Sequence, residues 1–352
     1  MALLLEKSYA GETWQSGGRE DLSNLIANVD ARSTPFTSMA KKGKKPGNAL
    51  MSWQMDAFED PKITGFVDGT DVDMTQASTT ETAANPVFVN PAANRVLASN
   101  YVQMFRRTFR VSSLANEIQV VAGVKSELAN GIAKKLVELK RDMELVFLND
   151  GDAQVDAGGT TPYLTKALGS FLDATGETGT CPQQVDSNFY CNAREATATT
   201  TDLTEANVQD VLKTLFENSG TIRDYDLLLG TTLKRAFTNF TQSTLSATIG
   251  ASPIKTFSQD AASKSFINAI DVFEGDFGRL RLHPSTFIAR GGTVTQAVGY
   301  VIPFEQAEIR YGKLPQIKEL TDNGGGPARL IEAVAALVIH NPKAFGIFDL
   351  AS

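Results

Sequence analysis

The sequence predicts an α+β protein. Three observations carry that reading: a long amphipathic stretch over 124–149, a helix–strand–helix run over 201–241, and a strand-rich stretch over 251–320. At 352 residues the chain is long enough for two domains or one large irregular one.

Taken in order, residues 1–47 read as an extended arm, interrupted by Gly11, Gly17, Gly18, Pro35, Gly43, Pro46 and Gly47. Leu22, Leu25, Ile26 and Val29 recur at helical spacing, so one short helix is expected over 20–29. The arm ends in Lys41, Lys42, Lys44 and Lys45, which read as a solvated turn or as a contact with a polyanion or an acidic neighbour. Residues 48–111 predict two strands joined by a long excursion. Trp53, Met55 and Ala57 alternate in the first, and 87–111 reads as a long bent strand with a slip in its alternation between Met104 and Phe105. Over 56–81 seven acids (Asp56, Glu59, Asp60, Asp68, Asp71, Asp73, Glu81) meet only Lys62, a local charge of −6, whereas Arg95, Arg106, Arg107 and Arg110 follow with no acid among them. An acidic finger of that length fits a neighbouring copy better than its own hairpin.

Ser112 or Ser113 is expected to cap a first turn. After Gly123, residues Val124, Leu128, Ile132, Leu136, Leu139, Met143, Val146 and Phe147 form one apolar stripe, with Lys134–Glu138 and Lys140–Glu144 as i,i+4 pairs on the other face. Such a helix of about 25 residues would run roughly 37 Å. Residues 150–200 are rich in Gly and Thr and read as irregular, with a short hairpin or helix near Leu164–Leu172. Thr204 then caps a helix faced by Val208, Val211, Leu212, Leu215 and Phe216 and ended by Gly220. Tyr225–Leu229 is a strand, and Thr231 or Thr232 starts a helix carrying Leu233, Ala236, Phe237 and Phe240. Ile267–Phe273 and Arg279–Leu282 form a hairpin about Glu274–Gly278, and Val298–Ile302 and Ala307–Tyr311 are further strands. Asn323–Pro327 is a turn, and Leu330–Ile339 is strand or helix by pattern alone.

Composition narrows the chemistry. Lys plus Arg number 33 against 40 Asp plus Glu, a net charge of −7, which sets a dedicated nucleic-acid binder behind other readings. Two His and two Cys leave little for His acid–base chemistry or a Cys/His metal site. His283 and His340 lack partners at ligand spacing, and no nucleophile elbow, P-loop, dinucleotide fingerprint or zinc-protease motif occurs. No catalytic residue, metal ligand or cofactor is therefore expected. No stretch approaches the roughly 20 apolar residues of a membrane span, and the first nine residues lack the basic start and long apolar middle of a signal peptide. A cytoplasmic setting follows, with Cys181 and Cys191 expected as thiols; oxidised, they would close a loop worth about 3 kcal/mol at best.

Several local sequences resemble the major capsid (major head) proteins of tailed bacteriophages, with the Hong Kong 97 (HK97)-like fold. They are Arg19-Glu20-Asp21-Leu22-Ser23, Ser33-Thr34-Pro35-Phe36, Trp53-Gln54, Glu138-Leu139-Lys140-Arg141-Asp142-Met143-Glu144, Asp276-Phe277-Gly278-Arg279 and His340-Asn341-Pro342-Lys343-Ala344-Phe345-Gly346. They run in order over 19–348; residues 150–200 match least, and Ala344-Phe345-Gly346 departs from the family's Ala-His-Gly. The resemblance implies an N-terminal arm (1–47), an extended loop (48–111) over the adjacent subunit, a peripheral domain (112–200 and 320–352) with a long spine helix, and an axial domain (201–319). On that basis Leu330–Ile339 is taken as a strand.

The implied role is a structural subunit assembling as pentamers and hexamers into an icosahedral head around double-stranded DNA. It implies a virion protein assembled in the host cytoplasm, with itself as chief partner. A portal and a separate scaffolding or cement protein would join it, and no membrane is implied. Asp68, Asp71 and Asp73 are expected near basic groups of an adjacent copy, with Arg106, Arg107 and Arg110 as candidates. A charge reversal at Arg107 should then harm assembly more than folding. Lys41, Lys42, Lys44 and Lys45 are candidates for sequence-independent contact with packaged DNA inside the shell. Some members of the fold cross-link a loop Lys to a neighbour's Asn; Lys62 lies in the right region, but with no partner Asn or catalytic acid identified no cross-link is expected. The rival readings are an encapsulin-like compartment shell, a cytoplasmic α/β enzyme using paired carboxylates, and a tail tube protein.

Overall fold

The computed structural model of the chain describes residues 30–58, 61, 63, 65–71, 95–117, 126–172, 189–196, 203–239, 242–244, 253–255, 258–260, 265–267, 270–291 and 293–350. The helix expected over 20–29, Lys62, Asp73, Cys181 and Phe240 lie outside these residues.

The first elements are α1 (Pro35–Met39), β1 (Lys41–Lys42), β2 (Leu50–Met55), β3 (Val96–Tyr101), β4 (Gln103–Arg110), α2 (Ser113–Glu117), α3 (Glu127–Phe147), α4 (Leu168–Leu172) and β5 (Ala193–Glu195). Then come α5 (Glu205–Ser219), β6 (Arg223–Leu229) and α6 (Thr231–Asn239). Two small hairpins follow, β7 (Gln242–Thr244) with β8 (Pro253–Lys255) and β9 (Ser258–Asp260) with β10 (Ser265–Ile267). The chain finishes with β11 (Val272–Gly275), β12 (Gly278–Pro284), β13 (Ala289–Arg290), β14 (Thr293–Val294), β15 (Val298–Ile302), β16 (Ala307–Leu320), β17 (Ala328–Ile339) and β18 (Gly346–Asp349).

Two sheets organise the molecule. One has the order β11-β12-β6-β15-β18-β5, the other β1-β16-β17-β4. In the first, β15, β18 and the end of β6 are buried on both faces, while β11 and β12 expose one, and strand alternation divides the side chains. Tyr225, Leu227, Leu229, Val301 and Phe348 join α5 and α6 on one side, while Leu228, Tyr300, Ile302 and Ile347 face a core shared with α3 and the second sheet. Helix α5 forms where expected: Thr204 accepts from the Asn207 amide, Asn207 returns the bond, and Gly220 closes the helix at φ 64°.

Helix α3 starts at the Ser126 cap and spans 21 residues, about 31 Å. Leu139, Met143 and Phe147, four residues apart, are its buried row. The expected pairs Lys134–Glu138 and Lys140–Glu144 do not form. Lys135 takes Glu138 at 2.6 Å, and Glu144 lies inside the core. The reason is that Glu144 finds two backbone donors there, which a lysine on the solvent face cannot match.

The stretch read as one bent strand serves two sheets. β3 pairs with β2, and after a break at Val102 β4 pairs with β17. No slip falls between Met104 and Phe105: β4 alternates without a break from Gln103, with Phe105 buried and Met104 exposed, and the interruption lies at Val102. Ala57 lies beyond β2 and is exposed, and the strand read from Ile267 begins only at Val272. The sheets also cross the domain boundaries drawn from sequence. β16 pairs with β17 although it begins at Ala307, whereas β5 and β18 complete the six-stranded sheet. These memberships depend on long-range pairing, which sequence position does not encode.

Candidate functional site

Among the described residues the two most exposed large apolar side chains, Phe58 and Ile63, sit on the excursion between β2 and β3. Both are fully exposed, and Phe66 and Val67 more than half so. The root of this excursion is held firmly. The Trp53 indole donates to the Ile339 carbonyl at 2.9 Å inside the core, and its ring meets Phe171. Asn100 donates to the Leu337 carbonyl at 2.7 Å and accepts from the Lys166 amide at 2.7 Å. Arg95 and Asp56 pair at 3.1 Å where the two strands part. A fixed root carrying an uncovered apolar segment is a surface built to be covered by something else.

The residues proposed from sequence are placed as follows. Asp68 and Asp71 are exposed on this segment. Arg106 pairs with Glu332, its cross-strand neighbour, at 2.7 Å, and Lys313 reaches the other oxygen at 2.8 Å. The hydrogen bonds from Lys313 and Arg106 hold Glu332 below the usual carboxylate range. Arg107 grips Asp142 of α3 with two bonds of 2.6 and 2.5 Å, with Glu138 at 4.0 Å. Arg106 and Arg107 therefore already hold carboxylates of their own chain. Arg110, at the end of β4, has no ion pair among the described residues.

All four lysines Lys41, Lys42, Lys44 and Lys45 are exposed, and none has a carboxylate within ion-pair distance among the described residues. Their backbone is pinned to β16. β1 runs parallel to it from Lys41 opposite Glu308, and Glu308 accepts from the Lys44 amide at 3.2 Å. Glu308 also meets His340 at 2.9 Å and Arg310 at 3.0 Å. Burial works to raise its pKa, but these hydrogen bonds and charges outweigh it and hold Glu308 low. A Cβ at Gly43 would fall 1.5 Å from the Glu308 Oε1, so a larger residue here would displace the Glu308 side chain.

Sequence reasoning missed Glu144. It is wholly buried, and its oxygens accept from the amides of Phe36 and Thr37, each at 2.8 Å, satisfying the first turn of α1 that Thr34 leaves uncapped. Burial raises its pKa, against the lowering effect of those two bonds. The helix period gave no clear signal: at 3.6 residues per turn Glu144 lies about 60° beyond Phe147, the edge of the apolar stripe. His283 meets Asp226 at 2.9 Å. The Cys191 sulfur contacts the Phe345 carbonyl at 2.9 Å. Among the described residues no group of three or more His, Cys, Asp or Glu could hold a metal, and no helix is long and apolar enough to cross a membrane.

A family model for the SU10 major capsid protein matches residues 7–351. No curated protein matches. Solved structures similar to the chain include one from Mycobacterium phage Cain (14% identity, TM-score 0.55, covering 99% of each chain). One from Mycobacterium phage Adephagia is comparable (14%, 0.55, covering 100% of this chain and 99% of that one). A third is the capsid of a native GTA particle (12%, 0.54, covering 98% and 99%). At these identities the structures speak for the fold, and the family match speaks for the lineage. With the fold shared from end to end and the family model spanning nearly every residue, the chain has the HK97-like capsid fold and belongs to the SU10 major capsid protein family.

Proposed function

We propose that copies of this capsid subunit associate as pentamers and hexamers and close into an icosahedral phage head around double-stranded DNA, assembled in the host cytoplasm. The observation that carries the capsomer reading is the apolar segment of Phe58, Ile63 and Phe66, left uncovered on a root that Trp53 and Asn100 lock into the core. The described residues of one copy leave that segment uncovered, and a neighbouring copy would bury it. The arm (1–47) and loop (48–111) serve as the reaching parts, and the two sheets as the body they lie across. The portal and a scaffolding or cement protein are further partners on this reading.

The acidic segment, including Asp73, faces basic groups of the adjacent copy. Of its expected partners Arg106 and Arg107 are engaged within the chain, which leaves Arg110 and the lysine cluster. DNA contact at the lysines is the competing use of that cluster.

Expression of the chain alone and with its neighbouring head genes, followed by negative-stain electron microscopy, tests the reading. Closed shells, or rings of five or six, are expected. A dispersed monomer in every combination would overturn it.

A further inference from the structure

The sequence holds two Asn–Gly pairs, Asn130–Gly131 and Asn323–Gly324. In such a pair the glycine amide nitrogen can close on the asparagine side-chain carbonyl carbon, because no Cβ stands in the way and the glycine backbone turns freely. The fold treats the two pairs oppositely. Asn130 and Gly131 lie inside α3, where the helical backbone fixes each amide along the axis and a Cβ at Gly131 would already lie 2.5 Å from the Phe109 ring. Asn323 and Gly324 are exposed at the tip of the turn that joins β16 to β17.

The base of this turn is fixed and its tip is open. The Val111 amide donates to the Pro327 carbonyl at 3.1 Å, and a Cβ at Gly326 would fall 2.2 Å from the Val111 carbonyl oxygen. At the tip, a Cβ placed on Gly324 would meet nothing within 4 Å beyond its chain neighbours. The Asn323 side chain has no hydrogen bond among the described residues, so its carbonyl carbon is open to attack. The Gly324 amide donates to Asp322 Oδ1 at 2.9 Å, which puts a carboxylate within proton-transfer reach of the nitrogen that must attack.

We propose that Asn323 is a site of spontaneous covalent modification, in which the Gly324 nitrogen closes on the Asn323 side chain with Asp322 as the base. The new N–C bond forms as the C–NH2 bond of the side chain breaks. Asp322 takes the Gly324 proton and returns it to the departing amino group, which leaves as ammonia. Water then opens the cyclic imide at either carbonyl, leaving aspartate or isoaspartate at position 323. The product adds one negative charge to the chain's −7. That charge appears in the turn against which Arg110 packs, its Nη1 standing 2.8 Å from the position of a Gly325 Cβ.

Peptide mass spectrometry on the purified full-length chain, incubated at neutral pH and sampled over time, tests this. In the folded chain the peptide containing Asn323 should gain the mass of deamidation and split into aspartyl and isoaspartyl forms, while the peptide containing Asn130 stays unchanged. In urea both peptides should convert, since the helix no longer protects the first. Native isoelectric focusing should show a second, more acidic band that grows with time and is lost in Asn323→Gln. Asp322→Asn keeps an acceptor for the Gly324 and Gly326 amides but takes up no proton, so its conversion at Asn323 should be severalfold slower. An Asn323 that stays intact in the folded chain while the denatured chain converts overturns the proposal, as does equal conversion of both pairs in the folded chain. Conversion of Asp322→Asn at the unaltered rate overturns the part given to Asp322.

Discussion

At the scale of single residues, three carboxylates divide by the sign of their pH response. Glu144 has a raised pKa because its burial penalises the charged form. Its contribution to stability is therefore greatest at low pH and declines as pH rises through that raised value. Glu308 and Glu332 are held below the ordinary carboxylate range, so their contribution is full above it and is lost as pH falls through the lowered pKa. Glu144→Gln keeps one acceptor for α1 and removes the titration. The unfolding free energy of the unaltered chain should then gain on that of Glu144→Gln as pH is lowered from neutral toward 5; a constant gap would refute the assignment. Glu144→Ala orphans the amides of Phe36 and Thr37 and should cost about 1–3 kcal/mol in denaturant unfolding. Arg107→Glu would set a third acid against Asp142 and Glu138, so its melting temperature should fall as well as its assembly. That removes Arg107 as a clean probe of assembly, and Arg110→Glu is the better one.

At the scale of elements, the joint between α3 and β4 decides most. Phe147 is fully buried with Phe36 and Phe105 at ring distances of 6.2 and 6.0 Å, so it ties the arm, the spine helix and β4 into one core. Phe147→Ala should cost about 3–5 kcal/mol by loss of contact and cavity formation. Gly131 sits where α3 crosses Phe109, and a Cβ there would lie 2.5 Å from the ring. Alanine gains about 1 kcal/mol of helix propensity over glycine, whereas the overpacking costs about 1–3 kcal/mol. The clash should win, and Gly131→Ala should melt at lower temperature than the unaltered chain; a higher melting temperature would show that Phe109 yields freely. The caps at Ser112, Thr204 and Gly220 were all legible in the sequence, because a cap is read from residues within four positions of one another.

At the scale of the whole molecule, monomer stability and assembly should separate. Phe58→Ser/Ile63→Ser removes apolar surface that is fully exposed in the single chain, so unfolding of the monomer should change by no more than about 0.5 kcal/mol. Rings or shells should form far less readily, which sedimentation would show directly; equal losses in both measurements would mean that the loop stabilises its own subunit. By itself the sequence determined what short-range physics controls. The spine helix follows from its apolar period, α5 from its two caps, and the β11–β12 hairpin from its turn. Only the tertiary structure decided which sheet each strand joins, that Glu144 holds the arm, and that Arg106 and Arg107 are already paired. A strand's hydrogen-bonding edge accepts any extended partner, and a charged side chain takes the nearest opposite charge in space. Both choices are made across long separations, as when β1 joins β16 at Lys41 and Glu308 or Arg106 takes Glu332, 226 residues away, where periodicity carries no information.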